Sequence, residues 1–151
     1  MSSAVHATVG FSTGNVIGNT REDLVIGSPH REAFGRQSAG VVFLAPGGET
    51  GIDTASANRF TAQVADDAAA QADFGWSLAT LDVGTFDRVV VGEPRWTIGS
   101  QSRTGRVVVV NTNADGAIYG NAIVLTQGMF GVTNEAQSRF GNAVATRVRK
   151  S

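Results

Sequence analysis

The sequence predicts an all-β chain: two copies of one four-stranded antiparallel unit, followed by the first strand of a third. Self-similarity is the first observation behind this. Gly27-Ser28-Pro29 precedes Gly92-Glu93-Pro94 by about 65 residues, and Phe74-Gly75-Trp76-Ser77-Leu78-Ala79-Thr80 is answered by Phe140-Gly141-Asn142-Ala143-Val144-Ala145-Thr146 about 66 residues later. A recurrence at such a period marks units that cannot bury their own apolar faces and stack on their neighbours. The second observation is the shape of the apolar runs, which are short and rich in β-branched residues, as buried strands are and helices are not. The third is the supply of turn formers: 19 Gly in 151 residues, clustered between those runs.

Taken in order, the first unit covers about 9–73, with strands expected over 10–16, 23–26, 40–44 and 58–64. Leu24-Val25-Ile26 and Val41-Val42-Phe43-Leu44 are its clearest runs, with Ala45-Pro46-Gly47-Gly48-Glu49 turning the chain after the second. The second unit covers about 74–139, with strands over 75–81, 88–91, 105–110 and 118–126. Val89-Val90-Val91, Val107-Val108-Val109-Val110 and Ile123-Val124-Leu125 form its core, and Asp115-Gly116 between two apolar runs is a hairpin signal. The Ala-rich stretch 64–72 is the one helix candidate. Its counterpart contains Gly131-Val132-Thr133-Asn134, so a loop is expected in both places. Residues 140–146 repeat the first strand of the unit, and 147–151 form a basic tail.

Composition bounds the function. With 12 basic and 13 acidic residues the net charge is −1, which argues against a broad nucleic-acid or membrane-surface role. Without Cys there is no disulfide framework, thiolate metal site or cysteine nucleophile. No apolar run approaches the roughly 20 residues that span a bilayer. The start of the chain has no basic region leading into an apolar core and does not read as a signal peptide.

Four antiparallel strands per repeated unit are the pattern of propeller blades. The order Phe74-Gly75-x-Ser77-Leu78-Ala79, an acidic loop, then an apolar strand ending in Gly92-Glu93-Pro94 resembles the FG-GAP repeat, which builds the β-propeller of integrin α subunits and of many bacterial surface proteins. The resemblance covers nearly the whole chain and is strongest over 74–94; Val9 stands where the repeat would place Phe. It implies a non-enzymatic binding or scaffolding module with a protein or glycan ligand, and for most members a cell-surface or extracellular setting. Propellers typically close with about 4–8 blades. Two blades and a strand therefore ask for completion: by other copies of the chain (three would give six blades), by a longer parent chain, or by a larger assembly in which this is a structural subunit.

In that family the loop between the first two strands often binds calcium. Here it would use Asp82 and Asp87 of Asp82-Val83-Gly84-Thr85-Phe86-Asp87, although Ca²⁺ takes about 6–8 oxygen ligands. The competing reading is that these acids brace a tight turn by accepting backbone N–H groups. A Ser28, His30, Asp23 triad can be written on paper, but no nucleophile-elbow sequence supports it, and a propeller hydrolase is the weaker alternative. Gly14 to Thr20 has neither the spacing nor the Lys of a phosphate loop. The loop after the second strand is more promising. It carries Phe34 and Arg36 beside His30 and Arg31 in the first unit, and Arg95, Trp96 and Arg103 in the second. An aromatic with basic neighbours in both copies is the composition of an interaction face. The alternative is that Phe34 and Trp96 pack between units, as Trp76 within its strand is expected to.

Overall fold

The computed structural model describes residues 10–65 and 68–147. Twelve strands follow in chain order. The first eight are β1 (Phe11–Gly14), β2 (Asp23–Ser28), β3 (Val41–Ala45), β4 (Gly47–Gly48), β5 (Gly51–Ile52), β6 (Asn58–Phe60), β7 (Ser77–Leu81) and β8 (Arg88–Glu93). The last four are β9 (Arg106–Val110), β10 (Thr112–Asn113), β11 (Gly116–Ala117) and β12 (Ile123–Leu125). They form two four-stranded antiparallel meanders, β1-β2-β3-β6 and β7-β8-β9-β12, and two small hairpins, β4-β5 and β10-β11. The chain is all-β, as expected, and the expected strands appear at their places with shifted ends. In the second unit the stretch expected as one strand over 118–126 shortens to β12, and the chain just before it makes the β10-β11 hairpin. The described residues of the stretch 64–72 are not α-helical; a 3₁₀ turn, Ala62–Ala65, runs into its start, and Gln127–Phe130 forms the matching turn in the second unit. Asp66, Asp67 and residues 148–151 of the basic tail lie outside the described residues.

Register ties the two sheets to one plan. Val25 pairs with Leu44 in the first sheet, and Val90 with Val109 at the corresponding place in the second. Side chains alternate across each sheet, and the faces stack front to back. Val25, Val42, Leu44 and Phe60 on the front of the first sheet share one core with Leu78, Val89, Val91, Val108 and Val110 on the back of the second. The front of the second sheet, with Ala79, Val90, Val107 and Val109, is met by Phe140 and Val144.

Residues 140–146 are not a strand. Phe140 makes one isolated parallel bridge to Gly105, and the chain then runs on through a turn without ladder pairing. The physical reason is that no described strand lies alongside it to make a ladder. The segment nonetheless docks as its counterpart does. The N–H groups of Gln71, Asp73, Phe74 and Trp76 donate to the carbonyls of Gln37, Ser38, Ala39 and Asp73 at 2.7, 3.0, 3.2 and 3.1 Å. Those of Gln137, Arg139, Phe140 and Asn142 donate to Ser102, Arg103, Thr104 and Arg139 at 2.9, 3.0, 2.8 and 3.0 Å. Even the backbone twist recurs: Gln71 and Gln137 have φ of 59° and 66°, Asp73 and Arg139 of 60° and 53°. Non-glycine residues rarely occupy this left-handed region, so its repetition at Asp73 and Arg139, with opposite side chains, shows that the joint imposes it.

Two glycines make the joint possible. A Cβ on Gly27 would overlap the carbonyl oxygen of Gly75, and one on Gly92 would overlap that of Gly141. Both sit in mid-sheet, where glycine marks close approach of another backbone.

Candidate functional site at the sheet junction

Each meander places its loop between the second and third strands at the edge where the next unit enters. The two loops, 29–40 and 94–105, therefore lie beside the junction. Arg31 and Trp96 hold corresponding places: their carbonyls accept the N–H of Gly40 and Gly105 at 3.0 and 2.9 Å. Each loop tip is a tight turn, closed by a bridge between Ala33 and Arg36 in one and Ile98 and Gln101 in the other.

Asp73 is the centre of the site. Its side chain has no exposure, yet it lies 3.2 Å from Nε of Arg95 and 3.4 Å from Nδ1 of His30, one group from each loop. Burial pushes its carboxyl above the usual carboxylate range; the charges of Arg95, His30 and Arg103 offset part of that rise. His30 and Arg95 stay partly open to solvent, with side chains 66% and 34% exposed. The edge of His30 meets the half-buried Trp76 with ring centroids 5.7 Å apart. Trp76 is thus not the fully buried core aromatic expected from its strand position.

Beside this lies a second pair, Glu93 and Arg106, both buried and joined through Nε and Oε2. They face each other across β8 and β9, where the first unit has Ser28 and Val41. The Arg106 guanidinium lies 3.4 Å from the ring centroid of Trp96. This is a cation–π stack, which holds the indole half-buried against the sheet.

Of the five residues expected to form the interaction face, Arg95 and Arg103 converge on Asp73 and Trp96 packs on Arg106. Arg36 donates to the Ala68 carbonyl at 2.6 Å and so braces the connection into the second unit. Phe34 stands away from all of them, 70% exposed at the tip of its turn with φ of 52°. The packing reading fits Trp96 and does not fit Phe34.

The acids of the calcium reading engage backbone. Asp82 accepts the Gly84 N–H at 3.0 Å within its own loop. Asp87 accepts the Asn15 N–H at 2.9 Å and so clips the first sheet to the second. Among the described residues no group of three or more His or acidic side chains could hold a metal ion. The paper triad does not assemble: His30 pairs with Asp73, while the wholly buried Asp23 accepts the N–H groups of Ile17 and Gly47, each at 2.9 Å, at the other end of β2. The described residues contain no helix long and apolar enough to cross a membrane.

Sequence reasoning passed over Asp73 and the Glu93–Arg106 pair. The signal for the pair was present: an acid and a base at facing ends of two adjacent Val-rich strands. For Asp73 the signal was its place directly before Phe74-Gly75, where the repeat has Arg139. No protein-family model matches this chain, and no curated protein is significantly similar to it.

Proposed function

We propose that this chain is a non-enzymatic binding and scaffolding module of the FG-GAP-like β-propeller kind, which offers its loop edge at the sheet junction to a protein or glycan. The observation that carries the reading is the repeated joint. Segments 71–76 and 137–142 seat on the preceding unit by the same three hydrogen bonds and close the same internal turn, so that the second docking repeats the first. A propeller grows in this way, by radial repetition of four-stranded sheets. Other copies of the chain or a longer parent chain would complete the ring.

The loop edge supports a binding role through its side chains. Phe34 is exposed, Trp76 and Trp96 are half-buried, and the same two loops carry the exposed Arg31, Arg36 and Arg103. Aromatic and Arg side chains are enriched where binding energy concentrates. Asp82 and Asp87 remain the places where calcium would enter if the family's loop chemistry operates here. The direct test is binding of the labelled chain to glycan and protein arrays, beside a Phe34→Ala/Trp96→Ala double variant. Hits lost in the double variant support the reading. Hits that survive it, or no hit with either protein, overturn it.

A further inference from the structure

Among the described residues the sheet-to-sheet joint has two faces, and each has a counterpart that makes no such joint. On the back of the second sheet, Val91 and Val108 are wholly buried against the first sheet. Their counterparts on the back of the first sheet are Ile26, which is 39% exposed, and Phe43, which Arg31 only partly covers from 5.9 Å. On the front side the relation runs the other way. Phe60 and Val64 of the first unit are buried in the joint, whereas their counterparts are the half-buried Leu125 and Met129, which is 63% exposed. Phe130, Val132 and Ile123 of the same unit are also exposed. Large apolar surfaces of this kind mark interaction sites.

We propose that these two open faces are for each other: the front of the second sheet of one copy takes the back of the first sheet of another copy, head to tail. This rests on the propeller-like reading above and names the partner that would complete it. The argument is continuity with a joint already made. A second copy brings the surface whose equivalent is buried inside this one, in the same register. Such a contact is heterologous, so it closes into a ring or grows, and does not stop at a symmetric pair.

Residues 140–146 govern the contact. Phe140 and Val144 occupy, on the second sheet, the places that Phe74 and Leu78 occupy on the first. The incoming β1 must take that position, so association exchanges an intramolecular contact for an intermolecular one. A tethered competitor acts at an effective concentration of about millimolar, which makes assembly depend steeply on protein concentration.

Sedimentation velocity on the full chain, from about 1 µM to about 1 mM, tests this with two variants of exposed residues, Ile26→Arg and Met129→Glu. Their fold is checked by circular dichroism. The wild-type chain is expected to form species that grow with concentration, while each variant alone stays monomeric. Mixing the variants should restore one joint only, between the intact back of the Met129 variant and the intact front of the Ile26 variant, and stop at a dimer. A wild-type chain that is monomeric throughout overturns the proposal. So does a dimer that both variants still form, or a mixture that stays monomeric. None of these outcomes bears on ligand binding at the loop edge, which the array experiment tests separately.

Discussion

Asp73 and Arg95 meet 3.2 Å apart at a place where the carboxylate has no exposure at all. Desolvation outweighs the attraction, and the carboxyl titrates above the usual range. A folded-state pKa above the unfolded value, which is about 3.9 for Asp, means a contribution to stability that is fully present below that value. It is lost as pH rises through the folded pKa. Asp73→Asn removes this dependence. The thermal midpoint of the variant should therefore gain on wild type as pH rises from about 3.9 through the folded pKa. Melting curves across that window decide it; a difference that is flat, or that shrinks with rising pH, refutes the burial argument.

Gly27 and Gly92 separate the two joints. Gly27→Ala drives a methyl group into the Gly75 carbonyl, at the seam that holds the two sheets together. A loss of about 3 kcal/mol or more is expected in denaturant unfolding. Gly92→Ala meets the Gly141 carbonyl and the Ser77 hydroxyl. Among the described residues that side of the sheet is covered by segment 140–146, which makes no ladder, so the loss should be distinctly smaller. Equal losses would mean that the C-terminal segment is as much part of the core as the second sheet.

The Glu93–Arg106 pair is buried, and removing the acid takes a charged partner from Arg106. Glu93→Ala is expected to cost about 3–5 kcal/mol. It should also change the emission of Trp96, whose ring lies against the Arg106 guanidinium. Trp fluorescence and chemical unfolding read the two effects in one titration. Unchanged emission together with full stability would show that the pair holds nothing in place.

Asp87 clips the two sheets through the Asn15 N–H, and its replacement by Ala should cost about 1–3 kcal/mol for the stranded donor. The loss should be the same in chelator and in millimolar calcium. A loss that widens in calcium would establish the metal reading of Asp82 and Asp87 in place of the turn-bracing one.

The strands were legible because their information is local. Runs such as Val107 to Val110 announce a buried strand by β-branching and length, and the repeat fixes which run corresponds to which. Strand ends were less legible, since the ladder, not the sequence, decides where pairing stops: Gly27 and Ser28 join β2 because Val42 and Val41 are opposite them. Residues 140–146 misled for a related reason. Their sequence is that of a first strand, but a strand needs a neighbour, and only the docking half of its role is realised. At the site, the loop was found by its repeated composition, while Asp73 was missed because its significance is a meeting of three distant segments. Phe34 and Trp96, paired by composition, do different things because Arg106 lies under only one of them.

The repeated seating of 71–76 and 137–142 also bears on how the chain could be lengthened. A duplicate of residues 74–139 spliced in before Phe140 would meet on both sides a seam the molecule already knows how to make. The new stretch would need no invented linker and no redesigned surface, and the original terminal segment would simply cap the last sheet as it does now. Copy number in such a molecule is set by the gene that encodes it and not by the chemistry of its joints.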